Sequence, residues 1–223
     1  MRLFGPLHLA LLATIAVLCF LAARLCASGR VRATPLRLGL GTFLAVDEFV
    51  WWIFRYSHEG IHAANLPLQL CDLTVWLSVL ACLTLQPAIV EFAYFAGLAG
   101  AGMALLTPDL WSPWPTYPAI YFFVAHGGIV IAVSMLVFGR VVTLRGGAVW
   151  RAYAYLLTYA CTLALINQLT GSNYMYLCRK PRGASALDAF GPWPFYLLAA
   201  AALALAFFWV LWLAAPKETP KKL

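Results

Sequence analysis

A chain of 223 residues that is 64% hydrophobic and only 10% charged cannot supply the polar surface of a soluble domain. Its formal net charge is +7, yet the basic residues fall as short clusters between apolar runs, which is the pattern of a membrane protein and not of a nucleic-acid binder. The six cysteines, at 19, 26, 71, 82, 161 and 178, show no CxxC or other metal spacing, so neither a disulfide framework nor a bound metal or cofactor is expected.

A hydrocarbon core of about 30 Å needs about 20 apolar residues of helix. Seven such runs follow one another near 3–26, 37–56, 67–86, 88–107, 117–139, 150–170 and 192–214, although the thin boundary between the third and fourth leaves six helices possible. The expected fold is therefore all-α, a polytopic transmembrane bundle in one domain over 1–223, with a short basic cytoplasmic tail at 216–223. The first run is longer than the apolar region of a signal peptide and no small-residue cleavage site follows it, so it reads as a retained helix. Between the third and fourth runs only Gln86-Pro87 intervenes, a tight turn in which proline ends one helix and opens the next. SPWPTYP and GPWPFY open the fifth and seventh runs, with proline suited to a first helical turn and tryptophan to the headgroup layer.

Lysine and arginine near the helix ends set the orientation. With the N-terminus outside, the inner loops hold Arg24, Arg30, Arg32, Arg37, Arg140, Arg145, Arg151, Lys217, Lys221 and Lys222, against Arg2, Arg55, Arg179, Lys180 and Arg182 outside. That is ten against five, favouring an outer N-terminus and a cytoplasmic C-terminus in a bacterial inner membrane. The same topology gathers the residues that are costly in lipid. Asp47 and Glu48 lie about 12 Å from the outer end of the second run, and His126 about 12 Å into the fifth. Cys71 and Asp72 sit near the outer start of the third run, Asn167 and Gln168 near the outer end of the sixth. Three carboxylates in one half of a bilayer cost on the order of 8–10 kcal/mol unless they pair, protonate or line a wet cavity, so a functional site is expected there.

HEGIH, residues 58–62, has the spacing of a zinc-protease helix. Such a site needs both histidines on one face of a continuous helix and a third ligand. Here the motif follows the last apolar residues of the second run, carries Gly60 in its middle and leads into Ala-Ala-Asn-Leu-Pro. A loop or frayed helix end is expected, and the nearest acidic ligand, Asp188, also lies in a loop. Intramembrane zinc proteolysis is the weakest of the functional readings.

A more specific signal is LPLQLCDL at 66–73, taken with YFAGLAGAGMALLTPDL at 94–110, FFVAHGG at 122–128, NQLTGSNYMYL at 167–177 and GPWPFY at 191–196. In this order and spacing the motifs resemble the YwaF-like family of integral membrane proteins, whose eukaryotic relative is transmembrane protein 164. The resemblance runs over roughly 35–215. It implies a membrane-embedded phospholipid acyltransferase, because the eukaryotic member moves a fatty acyl chain between phospholipids through an acyl-cysteine intermediate. It also implies that Cys71 is the nucleophile and His126 its partner. The chain departs from the family pattern at Gln69, where a histidine is common.

That chemistry is coherent by itself. A thiolate attacks an ester carbonyl to give a thioester, reactive enough to pass the acyl group to a second alcohol without coenzyme A or ATP. His126 is the base expected to activate the thiol. Asp72 and Glu48 are rival candidates to orient the imidazole. Asp72 adjoins Cys71 and so projects about 100° away from it on a helix, which makes Glu48 a serious rival. Cys82, deeper and without an acidic neighbour, reads as packing. Asp109 in TPDL is placed at the mouth of the site, while Asn167, Asn173, Tyr174 and Arg179 of the basic CRKPR stretch are candidate contacts for lipid headgroups. The expected partners are membrane phospholipids as acyl donor and acceptor. Excluding water would make such a site a transferase, and a wetter one a lipid hydrolase. A small-molecule or proton-coupled transporter, using the same buried acids and histidine, is the alternative, with a cavity reaching both faces as its signature.

Overall fold

The protein is described by a computed structural model over residues 1–110, 112–181 and 186–217, so Arg182, Lys221, Lys222 and most of the C-terminal tail lie outside the described residues. Among the described residues the regular structure is helical, without strands. Seven long elements alternate in direction: α1 (Pro6–Ser28), α2 (Ala33–Glu59), α3 (Leu70–Thr84), α4 (Pro87–Leu106), α5 (Tyr117–Phe138), α6 (Ala148–Thr170) and α7 (Phe195–Ala214). Five of them, α1, α4, α5, α6 and α7, are long and apolar enough to cross a membrane. The second is long enough but carries Arg37, Asp47, Glu48, Arg55 and Glu59, and the third has only 15 residues, about 22 Å of helix.

The boundaries have local causes. Glycine in the left-handed region, φ +70° at Gly60, ends α2 inside HEGIH. At the Gln86-Pro87 turn Leu85 also takes a positive φ, 55° with ψ 19°, the left-handed helical conformation, and Pro87 opens α4 at its first position, where its missing N–H costs nothing. The α3 start differs from the sequence expectation by three residues, because Pro67 stays outside and Gln69 and Asp72 form a capping box: the Gln69 N–H donates to the Asp72 carboxylate at 2.9 Å, and the Asp72 N–H donates to the Gln69 side chain. Arg37 closes the other end of α3 by donating to the carbonyls of Cys82 and Leu83, where the helix dipole favours a cation.

The bundle is organised around α5, most of whose residues are buried. It packs against α1, α2, α3 and α4, while α6 and α7 close the far side of α4. In contrast α1 and α7 bury only two residues each and turn Leu9, Val17, Phe20, Leu198, Val210 and Leu213 outward, the surface that lipid solvates. The N-terminal helix is pinned by His8, which is fully buried, accepts the Phe4 N–H at Nδ1 and donates from Nε2 to the Leu105 carbonyl at 2.8 Å.

Small residues let the helices meet. A Cβ at Gly128 would lie 2.4 Å from Leu44 Cδ2, and one at Gly97 2.8 Å from Ile129 Cγ2, so both glycines permit contacts that a side chain would block. Gly100 and Gly102, in the same glycine-rich stretch as Gly97, face no such crowding. Leu44 is fully buried, so a side chain at 128 must displace it within the packed interior. Gly128→Val is therefore expected to cost about 2 kcal/mol, from overpacking, and to lower the melting temperature in detergent by about 6 °C, measurable by thermal scanning.

Candidate functional site

A cavity of about 530 Å³ opens between the ends of α2, α4 and the starts of α3, α5. Its polar lining comprises Arg55, Glu59, Gln69, Cys71, Asp72, Thr107, Asp109, Tyr121, His126 and Tyr176; Trp51, Val75, Phe122, Ala125 and Ile129 supply the apolar wall. Four of the residues expected from the sequence thus come together: Cys71, Asp72, Asp109 and His126.

Cys71 occupies the second position of α3, after Gln69 as cap and Leu70 as first helical residue. The first intrahelical bond of this helix runs from Leu73 N–H to the Gln69 carbonyl, and the Asp72 N–H is taken by the Gln69 side chain. The Leu70 and Cys71 N–H groups precede both, at the positive end of the α3 dipole, a position that stabilises negative charge developing on the sulfur or on a nearby oxygen. On α5, His126 is 8% exposed and its Nδ1 lies 2.7 Å from the Phe122 carbonyl oxygen. A carbonyl only accepts, so Nδ1 carries the proton and Nε2 is the basic nitrogen. The Phe122 ring, at a centroid distance of 4.2 Å, holds the imidazole plane.

The two acids expected to orient this ring have other partners. Asp72 is engaged in the α3 capping box. Glu48, fully buried, accepts from Trp52 Nε1 at 2.8 Å and from the Tyr121 hydroxyl at 2.5 Å. It reaches the cavity through Tyr121, which also stacks on Trp51 with ring centroids 4.3 Å apart. Orientation of His126 comes instead from its own helix, through the carbonyl one turn earlier. Asp47 is half-buried and outside the cavity wall.

Asn167, Asn173, Tyr174 and Arg179 do not line the cavity. Asn167 donates to the Tyr174 carbonyl at 3.0 Å and accepts the Tyr174 N–H at 2.8 Å. The Tyr174 hydroxyl donates to the Ala63 carbonyl at 2.7 Å, and Asn173 accepts the N–H groups of Cys178 and Arg179 while donating to the Arg179 carbonyl. These groups build the loop after α6. Arg179 projects outward from it. The site residues without a flag in the sequence are Trp51, Tyr121 and Tyr176, because an aromatic residue in an apolar run is ordinarily packing.

At HEGIH the helix ends at Glu59, so His58 belongs to the last turn of α2 and His62 lies beyond it. The His58 Nδ1 faces the Phe54 carbonyl at 2.7 Å, and the Asn65 side chain accepts the His62 N–H. Among the described residues no three His, Cys, Asp or Glu side chains stand close enough together to hold a metal ion.

Fold and cavity together define an integral membrane protein: a helical bundle with a partly polar chamber at one end, lined by a helix-start cysteine and by a histidine whose Nε2 makes no hydrogen bond among the described residues. The chain belongs to the TMEM164 family, whose sequence profile matches residues 3–212. No curated protein matches the chain, and no solved structure does.

Proposed function

We propose that the protein is a membrane-embedded lipid acyltransferase that works through an acyl-enzyme on Cys71, with His126 as the base. The observation that carries this is the shared wall: the only histidine of α5 and the cysteine at the second position of α3 line one chamber of about 530 Å³, with both polar and apolar walls, at a bundle end. His126 Nε2 takes the thiol proton as sulfur attacks the ester carbonyl of a phospholipid. The carbon–sulfur bond forms, the carbonyl electron pair moves to oxygen, and the Leu70 and Cys71 N–H groups face the charge. Collapse breaks the ester carbon–oxygen bond, and the departing lysolipid oxygen takes the proton from His126. A second lipid alcohol reverses these steps on the thioester, regenerating the thiol.

The lining residues span from the helix ends to about the middle of α5, which suits a substrate confined to one leaflet. Among the described residues, Arg24, Arg30, Arg32, Arg37, Arg140, Arg145, Arg151 and Lys217 lie at the opposite end, against Arg2, Arg55, Arg179 and Lys180 at the chamber end. This asymmetry supports a chamber on the outer side of a bacterial inner membrane, with the C-terminus cytoplasmic.

Purified protein incubated with a phospholipid labelled in its acyl chains should gain the mass of one acyl group on the Cys71 peptide, released by neutral hydroxylamine. His126→Asn removes the base and should slow this acylation by about 10²–10⁴-fold. Acylation of the variant at the wild-type rate would eliminate the imidazole as base.

A further inference from the structure

Two tyrosines line the chamber, and their hydroxyls are differently placed. The Tyr121 hydroxyl is committed to Glu48. The Tyr176 hydroxyl makes no hydrogen bond to the described residues, although its own backbone N–H and carbonyl are both held, by the Asn173 carbonyl and the Tyr196 hydroxyl.

The holding is unusual. Met175 and Tyr176 both take φ 54°, two successive non-glycine residues in the left-handed region, at a cost of about 1–2 kcal/mol each. Surrounding bonds impose it. Asn167 clamps both backbone groups of Tyr174, the Met175 N–H donates to Gln69 Oε1 at 3.0 Å, and the Tyr196 hydroxyl donates to the Tyr176 carbonyl. Gln69 is the cap of α3, two residues before Cys71, and its bond falls one residue before Tyr176. A single side chain therefore registers the Tyr176 backbone against the helix that carries the sulfur. The outcome of this strain is a phenol 37% exposed, on the same chamber wall as Cys71 and Asp109.

We propose that the Tyr176 hydroxyl is a catalytic hydrogen-bond donor, directed at the carbonyl oxygen of a bound acyl ester and at the oxyanion that forms when the Cys71 sulfur adds to that carbonyl. This rests on the acyltransferase reading above and extends it to a residue outside the cysteine and histidine pair. The hydroxyl keeps its proton throughout: the hydrogen bond shortens as the carbonyl electron pair moves to oxygen and lengthens as the carbonyl reforms. Burial, then the neighbouring Asp109 and Cys71, raise the phenol above its ordinary pKa, which suits a donor that must not ionise. The strained backbone is then part of the site, because only a preorganised donor gains more at the oxyanion than at the ground-state ester.

Tyr176→Phe keeps the ring and removes the donor. The rate of Cys71 acylation by labelled phospholipid should fall about 10²-fold, with the half-saturating lipid concentration unchanged. Alkylation of Cys71 by iodoacetamide passes through no oxyanion, so its rate, read by mass spectrometry of the Cys71 peptide, should not move. Acylation at the wild-type rate in the variant overturns the inference and leaves the Cys71 reading standing. An equal fall in acylation and alkylation also overturns it, since that marks general damage to the chamber. Absence of wild-type acylation by both phospholipid and a fatty acyl p-nitrophenyl ester, or an adduct that persists in Cys71→Ala, overturns the acyltransferase reading and this inference together.

Discussion

Cys71→Ala is expected to abolish the hydroxylamine-labile adduct and to bring lipid acyl transfer down to the background rate, a loss of at least about 10⁴-fold, while the bundle stays folded. The size follows from covalent catalysis: no other group in the chamber replaces the sulfur, and the donors that remain have no intermediate to stabilise. Cys82 offers no rescue. It is fully buried, packed against the position of Gly41 Cα at the other end of α3, and absent from the chamber wall. Fold should survive because Cys71 is only half-buried and its side chain makes no hydrogen bond among the described residues, so truncation costs about 1 kcal/mol. Cys71→Ser separates the nucleophile from its shape: an oxygen ester on serine resists neutral hydroxylamine, and serine at this site should turn over far more slowly than cysteine. Retention of a labile adduct in the alanine variant, or equal transfer rates in all three proteins, would remove Cys71 from the chemistry.

The helices were legible because lipid imposes one rule on long apolar runs, and all seven expected spans lie on observed helices. At the start of α3 and the end of α2, polar side chains account for the shifted boundary. The second run was expected to stop at 56 and continues to Glu59, carried by the Arg55–Glu59 pair at 3.2 Å and stopped by Gly60. Five residues within α4, Gly97–Ala101, form a π-helical turn that neither hydropathy nor spacing announced, although the glycine-rich LAGAG stretch removes the side chains that would oppose it. Cys71, Asp72, Asp109 and His126 are residue types that carry recognisable chemistry, and all four line the chamber; Tyr121 and Tyr176 line it too, and composition marks neither. Asn167, Asn173 and Tyr174 drew notice as polar residues at a helix end. That polarity goes into building the loop which presents Tyr176.

Glu91 is the clearest buried charge that a residue-by-residue reading passed over, since its partners lie 54 and 60 residues downstream. Its side chain is 1% exposed on α4, and it accepts from Arg145 N, Nε and Nη2 at 3.0, 2.9 and 2.8 Å, and from Arg151 Nε and Nη2 at 3.1 and 2.9 Å. Five charge-assisted donors on one carboxylate tie α4 to the α5–α6 loop and the first turn of α6 at the end opposite the chamber. Glu91→Ala leaves two guanidinium groups without their anion. Their side chains are 49% and 34% exposed, so water recovers part of the loss, and the expected cost is about 3 kcal/mol, at the lower edge for breaking a buried pair. A thermal scan in detergent should show the melting temperature about 10 °C lower, and adding Arg145→Ala to the variant should cost little more, as coupled partners require. The contrast with Cys71→Ala tests the division of labour in the bundle. Glu91→Ala should lower acylation only as far as it lowers the folded fraction, because nothing in the Glu91 cluster touches the chamber. A melting temperature unchanged by the loss of Glu91 would mean that the bundle holds its helices by packing alone, and that the two arginines serve the membrane surface.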